Sequence, residues 1–261
     1  RLTLISAIAG FGKTTIATQW ADDLQQQGHL IAWYSLDETD NDVTLFSSYL
    51  EAILASYASY RDDMTTAHPS DTPVHMTQIL TRWFNHVTAL GEKSEKMVLI
   101  LDDYHVIQET DIHDIITFWL SYAPLKIHLV ITSRHDPPLQ LARLRVQHGI
   151  NELGGAALCF APEQAEQFLT NLMGLTLSSD DLQQIMTRTE GWVAGLQLIG
   201  LALQSSNHTT HERIVTCLAT HSYVLDFLVE EILQQQPKIV QQFLVLTSIL
   251  DRLHGPLCDV I

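Results

Sequence analysis

A short glycine-containing loop carries the first residues that could do chemistry. The stretch AIAGFGKTT, residues 7–15, follows the apolar run Leu2 to Ile5 and precedes an amphipathic segment. A loop between a strand and a helix presents unpaired backbone N–H groups and the positive end of the helix dipole, and phosphate binds there. The stretch fits the pattern G-x-x-x-x-G-K-[ST] except at its first position, where Ala7 stands. It predicts either a phosphate-binding loop or a plain strand-to-helix turn.

The residues of the loop supply what phosphate binding needs. Gly10 and Gly12 let the loop wrap closely, because neither has a Cβ and both tolerate positive φ. Lys13 reaches the β- and γ-phosphates, and Thr14 is predicted to place its hydroxyl on Mg²⁺. Alanine at the first position costs backbone freedom but removes no donor. The predicted nucleotide-binding residues here are Ala9, Gly10, Phe11, Gly12, Lys13, Thr14 and Thr15.

Two carboxylates provide the second half of the site. The apolar run Val98 to Leu101 is followed directly by Asp102 and Asp103. A carboxylate at the end of an apolar strand lies at the carboxyl edge of a sheet, where nucleotide crevices form. Asp102 is predicted to hold Mg²⁺ through water and Asp103 to polarise the attacking water. The alternative is an exposed Asp-Asp turn, and the two motifs together favour the nucleotide site.

An arginine at the end of the next apolar run completes the predicted catalytic residues. This run ends in ITSRH, so Arg134 lies at the tip of a neighbouring strand on the same sheet edge. A guanidinium there can contact the γ-phosphate bidentately and report whether it is present. The alternative is a surface arginine beside the turn HDPPL. The predicted catalytic residues are Lys13, Asp102, Asp103 and Arg134.

The elements that must position these residues follow an α/β pattern. Continuous apolar runs of strand length alternate with helical stretches over about the first 150 residues. Such runs predict a parallel sheet with helices on both faces, the fold of the P-loop NTPases. Beyond about residue 155 the pattern becomes helical, with Pro162 in a first turn and a capping box from Ser178 to Asp181.

Composition limits the possible partners. The formal net charge is −16, so the chain has no general attraction to a polyanion and is a poor candidate for direct DNA binding. Its three cysteines form no C-x-x-C pair, which favours a reducing compartment. We find no signal peptide and no apolar run long enough to cross a bilayer, and we therefore expect a cytoplasmic protein without membrane contact.

The polar turn DETDND, residues 37–42, invites comparison with a cation site. It lacks the glycine and the closing glutamate of a calcium loop, so a solvated turn that caps the following helix is favoured. The thirteen histidines show no metal-ligand spacing and are interpreted as surface or core residues.

Seven motifs follow one another along the chain: SAIAGFGKTT, WYSLDETDND, LILDDYH, ITSRHDPPLQLARLR, TEGWVAGLQL, FLVEEIL and TSILDRLHGPLCD. In this order they resemble one family, the MalT-like, large LuxR-type transcriptional regulators, which are signal-transduction ATPases with numerous domains. The resemblance covers nearly the whole chain. The family has loops of the type AxAGYGKTT, so Ala7 matches it.

The resemblance implies three domains: a P-loop domain over 1–155, a small helical domain over 156–208 and a truncated winged-helix domain over 209–261. It implies ATP or ADP with Mg²⁺ as cofactors. Gly191 and Trp192 would lie at the adenine side of the nucleotide. The alternative is that Gly191 ends a helix and Trp192 belongs to the core.

The family also implies a function. We expect a switch module that hydrolyses ATP slowly at most and self-associates in its ATP state when an inducer is present. An inducer or regulatory protein would bind outside this chain, and DNA would bind only through a C-terminal helix-turn-helix. The chain begins at Arg1 without methionine and stops within a segment that we expect to be structured, so we expect it to be part of a longer protein. Two alternatives stay open: a motor-type P-loop ATPase, and a nucleotide-bound scaffold without turnover.

Overall fold

The chain divides into two compact units. A computed structural model describes residues 1–56, 73–89, 96–147, 149–204, 233 and 237–248. The first unit spans Arg1–Leu158 and the second Cys159–Ile261. The predicted boundary between 155 and 156 falls close to this division, whereas the predicted boundary between 208 and 209 lies outside the described residues.

The first unit is built on a parallel sheet of five strands. Its strands are β1 (Leu2–Ser6), β2 (Leu30–Ser35), β3 (Met97–Asp102), β4 (Ile127–Ser133) and β5 (Ile150–Gly154). Their order across the sheet is β2-β3-β4-β1-β5, and every pair is parallel. This order brings the carboxyl ends of β1, β3 and β4 together at one edge, because β4 lies between the other two. The predicted site residues of this unit lie at or after these three ends.

Helices cover both faces of this sheet, as predicted. They are α1 (Lys13–Gln26), α2 (Val43–Ser56), α3 (Pro73–Ala89), α4 (Thr110–Tyr122), α5 (Leu141–Val146) and α6 (Gly155–Leu158). Side chains of β3 alternate between two buried clusters: Leu99 and Leu101 pack on the side of α2, α3 and α4, whereas Val98 and Ile100 pack on the side of α1. Both faces are therefore apolar, which explains the continuous hydrophobic run of this strand.

The described part of the second unit is helical. It contains α7 (Pro162–Gln167), which continues into a π-helical turn over Phe168–Leu172, then α8 (Ser179–Thr189), α9 (Val193–Gln204) and α10 (Lys238–Thr247). The predicted capping box is confirmed, since Ser178 Oγ accepts a hydrogen bond from the Asp181 backbone N–H at 3.2 Å. None of these helices, nor any other in the described residues, has the length and apolar character that crossing a bilayer requires. Most of the predicted winged-helix domain, 209–261, lies outside the described residues.

The acidic turn 37–42 is a helix-capping structure, as the sequence favoured. Asp37 and Asp40 form a capping box around the 3₁₀ helix Glu38–Asn41, and the Asp42 carboxylate accepts the Leu45 N–H in the first turn of α2 at 2.9 Å. In the described ranges, no cluster of three or more His, Cys, Asp or Glu residues is arranged to hold a metal ion.

Candidate functional site

The loop between β1 and α1 has the backbone of a phosphate-binding turn. Gly10 and Gly12 have φ angles of 79° and 75°, in the region that favours glycine. The helix begins at Lys13, and the Ile16 N–H donates to the Gly12 carbonyl at 2.9 Å. Ala7 is buried, and its N–H donates to the Ser133 carbonyl of β4 at 3.2 Å. Alanine therefore fits the first position of the motif.

Lys13 is held inside this loop. Its side chain is 7% exposed, and Nζ donates to the Ile8 carbonyl at 3.2 Å. Burial lowers the pKa of Lys13, and the positive charge of Arg134 lowers it further, whereas Asp103 and Asp102 act in the opposite direction. A partly desolvated ammonium group among donors is a strong partner for an anion.

Asp102 is the centre of a hydrogen-bonded chain that joins three elements. Its Oδ1 accepts the Thr14 hydroxyl of α1 at 3.1 Å and the Thr132 hydroxyl of β4 at 2.5 Å. The Thr132 oxygen in turn accepts the Asp103 N–H at 2.9 Å. Hydroxyl and carboxylate oxygens are the donors that Mg²⁺ prefers, so Thr14 and Asp102 fit a magnesium ion at this edge.

Asp103 turns the chain sharply after β3. Its φ of 58° and ψ of 39° are left-handed, a conformation that aspartate tolerates better than most residues. The Asp103 carboxylate is about half exposed and lies 3.7 Å from His105 Nδ1. Burial, together with the charges of Arg134 and Lys13, lowers the pKa of His105 to about 4, so this imidazole is neutral at pH 7.

The structure brings most of the predicted site residues to one edge of the sheet. Thr14, Asp102 and Asp103 are joined by the hydrogen bonds above, Lys13 begins the helix that carries Thr14, and Arg134 directly follows β4 at the same edge. The Phe11 ring lies beside Gly155, where an added Cβ would be 3.4 Å from it.

Gly191 and Trp192 belong to the second unit. Gly191 has φ 78° between α8 and α9, and its carbonyl accepts the Phe160 N–H at 2.9 Å. Trp192 packs on Gly195, where an added Cβ would meet its ring at 2.7 Å. Both positions thus have structural contacts of their own, and their predicted place beside the adenine stays a prediction.

Two residues at this edge were not predicted as part of the site. Thr132 is a fully buried hydroxyl within an apolar strand, and His105 follows the two aspartates by two positions. A polar residue at the carboxyl end of a buried strand next to the aspartates is a signal for Thr132. The histidine gives no comparable signal, because its spacing matches no ligand pattern.

Two family models match this chain, one at each end of the sequence. The family model described as "Nephrocystin 3, N-terminal" matches residues 1–134, just over half of the chain. A second family model, "MalT winged helix domain", matches residues 229–261. These matches cover four of the five strands with the glycine loop, and the later part of the segment predicted as a winged helix.

Two sequence relatives match nearly the whole chain. The chain is 33% identical over 98% of its length to the HTH-type transcriptional regulator MalT of Yersinia enterocolitica, and 31% identical over 98% to that of Vibrio campbellii. It spans 28% of the length of each of these relatives. The chain belongs to the family of the Nephrocystin 3 N-terminal model, and over nearly its whole length it is similar to part of the MalT regulators, as its motifs indicate.

A likeness among solved structures is weaker. The Orc1 protein of Aeropyrum pernix, solved in complex with DNA, has a TM-score of 0.49 and 13% identity, and the match covers 95% of this chain and 66% of that one.

Proposed function

We propose that this chain is the ATP- and ADP-binding switch module of a MalT-like transcriptional regulator. The observation that carries the proposal is the chain of hydrogen bonds from Thr14 through Asp102 to Thr132, beside the buried Lys13. These hydrogen bonds join α1, β3 and β4 at the carboxyl edge of the sheet. Nucleotides bind in a crevice at this edge in proteins of this fold class.

Each side chain has a proposed role. Backbone N–H groups of residues 9–15 bind the phosphates, and Lys13 contacts the β- and γ-phosphates. Thr14 and Asp102 hold Mg²⁺, which neutralises phosphate charge when bound. Asp103 polarises the attacking water, and Arg134 contacts the γ-phosphate. Gly191 and Trp192 are proposed to lie at the adenine side.

The proposed domains are 1–155, 156–208 and 209–261. The match of the winged-helix model to residues 229–261 supports the last of them. In the proposed switch, ADP keeps these domains closed, and ATP together with an inducer favours an open form that self-associates. Moving a population from about 1:99 to 99:1 requires roughly 5.5 kcal/mol of differential affinity. Hydrolysis is slow and resets the switch.

Partners are proposed to bind largely outside this chain. The relatives are named as HTH-type regulators, and the chain spans only 28% of their length, so DNA is expected to bind a helix-turn-helix elsewhere in the protein. The inducer or regulatory protein also binds elsewhere. A net charge of −16 supports this division of labour, and we place the protein in the cytoplasm.

The decisive experiment identifies the nucleotide that purifies with the protein. The chain and its Lys13→Ala variant are denatured, and released nucleotide is separated by chromatography. We expect stoichiometric ADP from the unaltered chain and little from the variant. Calorimetry should show nucleotide affinity about 10- to 100-fold weaker in the variant, because it loses charge-assisted bonds worth roughly 1.5–3 kcal/mol. Equal affinity in both proteins would show that the loop is not the site.

Steady-state hydrolysis then separates the switch from the two alternatives. A slow rate that Asp103→Ala abolishes supports the switch. A rate of many turnovers per second stimulated by nucleic acid would indicate a motor. Bound ATP with no turnover in either protein would indicate a scaffold.

A further inference from the structure

Thr132 is a buried hydroxyl to which the proposed function gives no role. It is the next-to-last residue of β4, its relative exposure is 0%, and the three residues before it, Leu129 to Ile131, are buried and apolar. A hydroxyl in such a place destabilises the fold unless it is hydrogen-bonded. Here both its donor and its acceptor capacity are used by residues of the proposed site.

One oxygen atom of Thr132 contacts both aspartates. Its O–H donates to Asp102 Oδ1 at 2.5 Å, a length typical of a hydroxyl bonded to an ionised carboxylate. The same oxygen accepts the backbone N–H of Asp103 at 2.9 Å. The parallel register makes this possible, because Leu101 pairs with Ile131 and the next residues of both strands are therefore neighbours.

These two bonds fix different properties of the site. Asp102 Oδ1 accepts hydrogen bonds from a hydroxyl of α1 and from a hydroxyl of β4. These two hydrogen bonds fix the rotation of its carboxylate. The bond to the Asp103 N–H holds the backbone where the chain enters its left-handed turn at φ 58°. Thr132 therefore ties the orientation of the proposed metal-binding carboxylate to the position of the proposed water-polarising residue.

We propose that Thr132 is a positioning residue for both aspartates, orienting Asp102 for Mg²⁺ and fixing the backbone from which Asp103 reaches the water. This inference rests on the proposed ATP and Mg²⁺ site. In hydrolysis the water oxygen bonds to the γ-phosphorus as the bond to the bridging oxygen breaks, and Thr132 takes part in neither bond. Removing a side chain that is hydrogen-bonded to a metal-binding group typically lowers metal affinity or activity by about 10- to 100-fold.

The chain offers closely matched variants. Thr132→Val keeps the shape and removes both hydrogen bonds, whereas Thr132→Ser keeps the hydroxyl. Ser133→Ala is the control for losing a buried hydroxyl at the end of the same strand, because Ser133 Oγ has no hydrogen-bond partner in the described structure.

The first measurement titrates Mg²⁺ into each protein with ATP and follows binding by calorimetry. We expect the Mg²⁺ concentration at half-saturation to rise about 10-fold or more in Thr132→Val and to stay within about 3-fold in Thr132→Ser and Ser133→Ala. ATP affinity in EDTA should be equal in all four proteins. The hydrolysis rate should fall with the Mg²⁺ affinity only in the valine variant.

The second measurement needs no nucleotide. Hydrogen exchange of the Asp103 amide should be slow in the unaltered chain and in Thr132→Ser, and at least 10-fold faster in Thr132→Val. Fast exchange in the unaltered chain would overturn the inference even if the valine variant fails to fold.

The outcomes for function and inference are distinguishable. If the unaltered chain binds ATP and Thr132→Val has the same Mg²⁺ requirement, the inference is wrong and the proposed function stands. If the unaltered chain binds no ATP at all, the proposed function fails and the inference fails with it.

Discussion

The sequence leaves two interpretations of Gly191 open, a place beside the adenine and the end of a helix, and glycine is compatible with both. Its φ of 78° strains any side chain, and an added Cβ would lie 2.3 Å from the Phe160 carbonyl oxygen. The second unit therefore needs glycine here whether or not a nucleotide lies nearby. A loss of nucleotide binding in a Gly191 variant would not by itself demonstrate a contact with adenine.

The first prediction compares two glycines with similar φ and different surroundings. Gly174 has φ 69° and no heavy atom within 4 Å of an added Cβ. Gly174→Ala should cost about 1 kcal/mol for the left-handed backbone, and Gly191→Ala about 2–4 kcal/mol, because it adds a clash with backbone. Urea unfolding measures both. Equal losses would show that the clash with Phe160 relaxes without cost.

Asn41 connects two elements that are far apart in sequence. Its Nδ2 donates to the Val106 carbonyl at 2.8 Å, and its Oδ1 accepts the Gln108 N–H at 2.6 Å and the Glu109 N–H at 3.3 Å. The Val106 N–H donates to the Asp103 carbonyl at 3.2 Å. The turn 37–42 therefore holds the segment that follows β3.

The second prediction tests this connection. Asn41→Ala should lower the free energy of unfolding by about 1–3 kcal/mol, because backbone groups of the 106–109 segment lose their partner. Asn151→Ala, at an exposed asparagine of β5, is the control and should stay within about 0.5 kcal/mol of the unaltered chain. Urea unfolding gives both values. A change at Asn41 no larger than at Asn151 contradicts the proposed connection.

Elements with a strong local signal were predictable from the sequence. β1, β3 and β4 are apolar runs, and the residues that follow them carry the loop, the aspartates and Arg134. β5 was not predicted, because as an edge strand it has half-buried Ile150 and Leu153 among exposed residues and shows no apolar run. α3 was not predicted either, although its buried Met76, Ile79, Leu80 and Trp83 follow helical spacing.

The contacts within the site could not be predicted in the same way. The bond between Thr132 and Asp102 joins residues 30 positions apart. It depends on the register of two strands, which no local pattern specifies. The sequence therefore indicated which residues gather at the edge, and the fold was needed to show which atoms meet.

At the scale of the whole molecule, a half-buried histidine, His128, predicts sensitivity to acid. Burial is the main cause that lowers the pKa of His128 to about 4, and its Nε2 is hydrogen-bonded to Thr3 Oγ1 at 2.9 Å. The unfolded chain has an ordinary histidine pKa of about 6.5 and so binds more protons between about pH 6.5 and 4. The stabilising contribution of neutral His128 is present above about pH 6.5 and is lost as the pH falls towards 4.

The third prediction follows from the lowered pKa of His128. Between pH 7 and pH 5 the unaltered chain should lose more stability than His128→Gln, which cannot be protonated in this range. Urea unfolding at the two pH values measures the difference, and the exposed His135→Gln serves as the control. Parallel pH profiles for the unaltered chain and His128→Gln would contradict the prediction.

The strand order also has a consequence for synthesis of the protein. β1 pairs only with β4 and β5, which are more than a hundred residues later in the chain. At about 5–20 residues per second, the ribosome needs roughly 7–30 s to make both partners of β1. The strand before the glycine loop is thus the first of the five strands to be translated and among the last to be paired. A nascent chain synthesised only to a point before residue 127 has no sheet neighbour for β1, so we expect a ribosome-bound intermediate of that length to expose this apolar strand to chaperones.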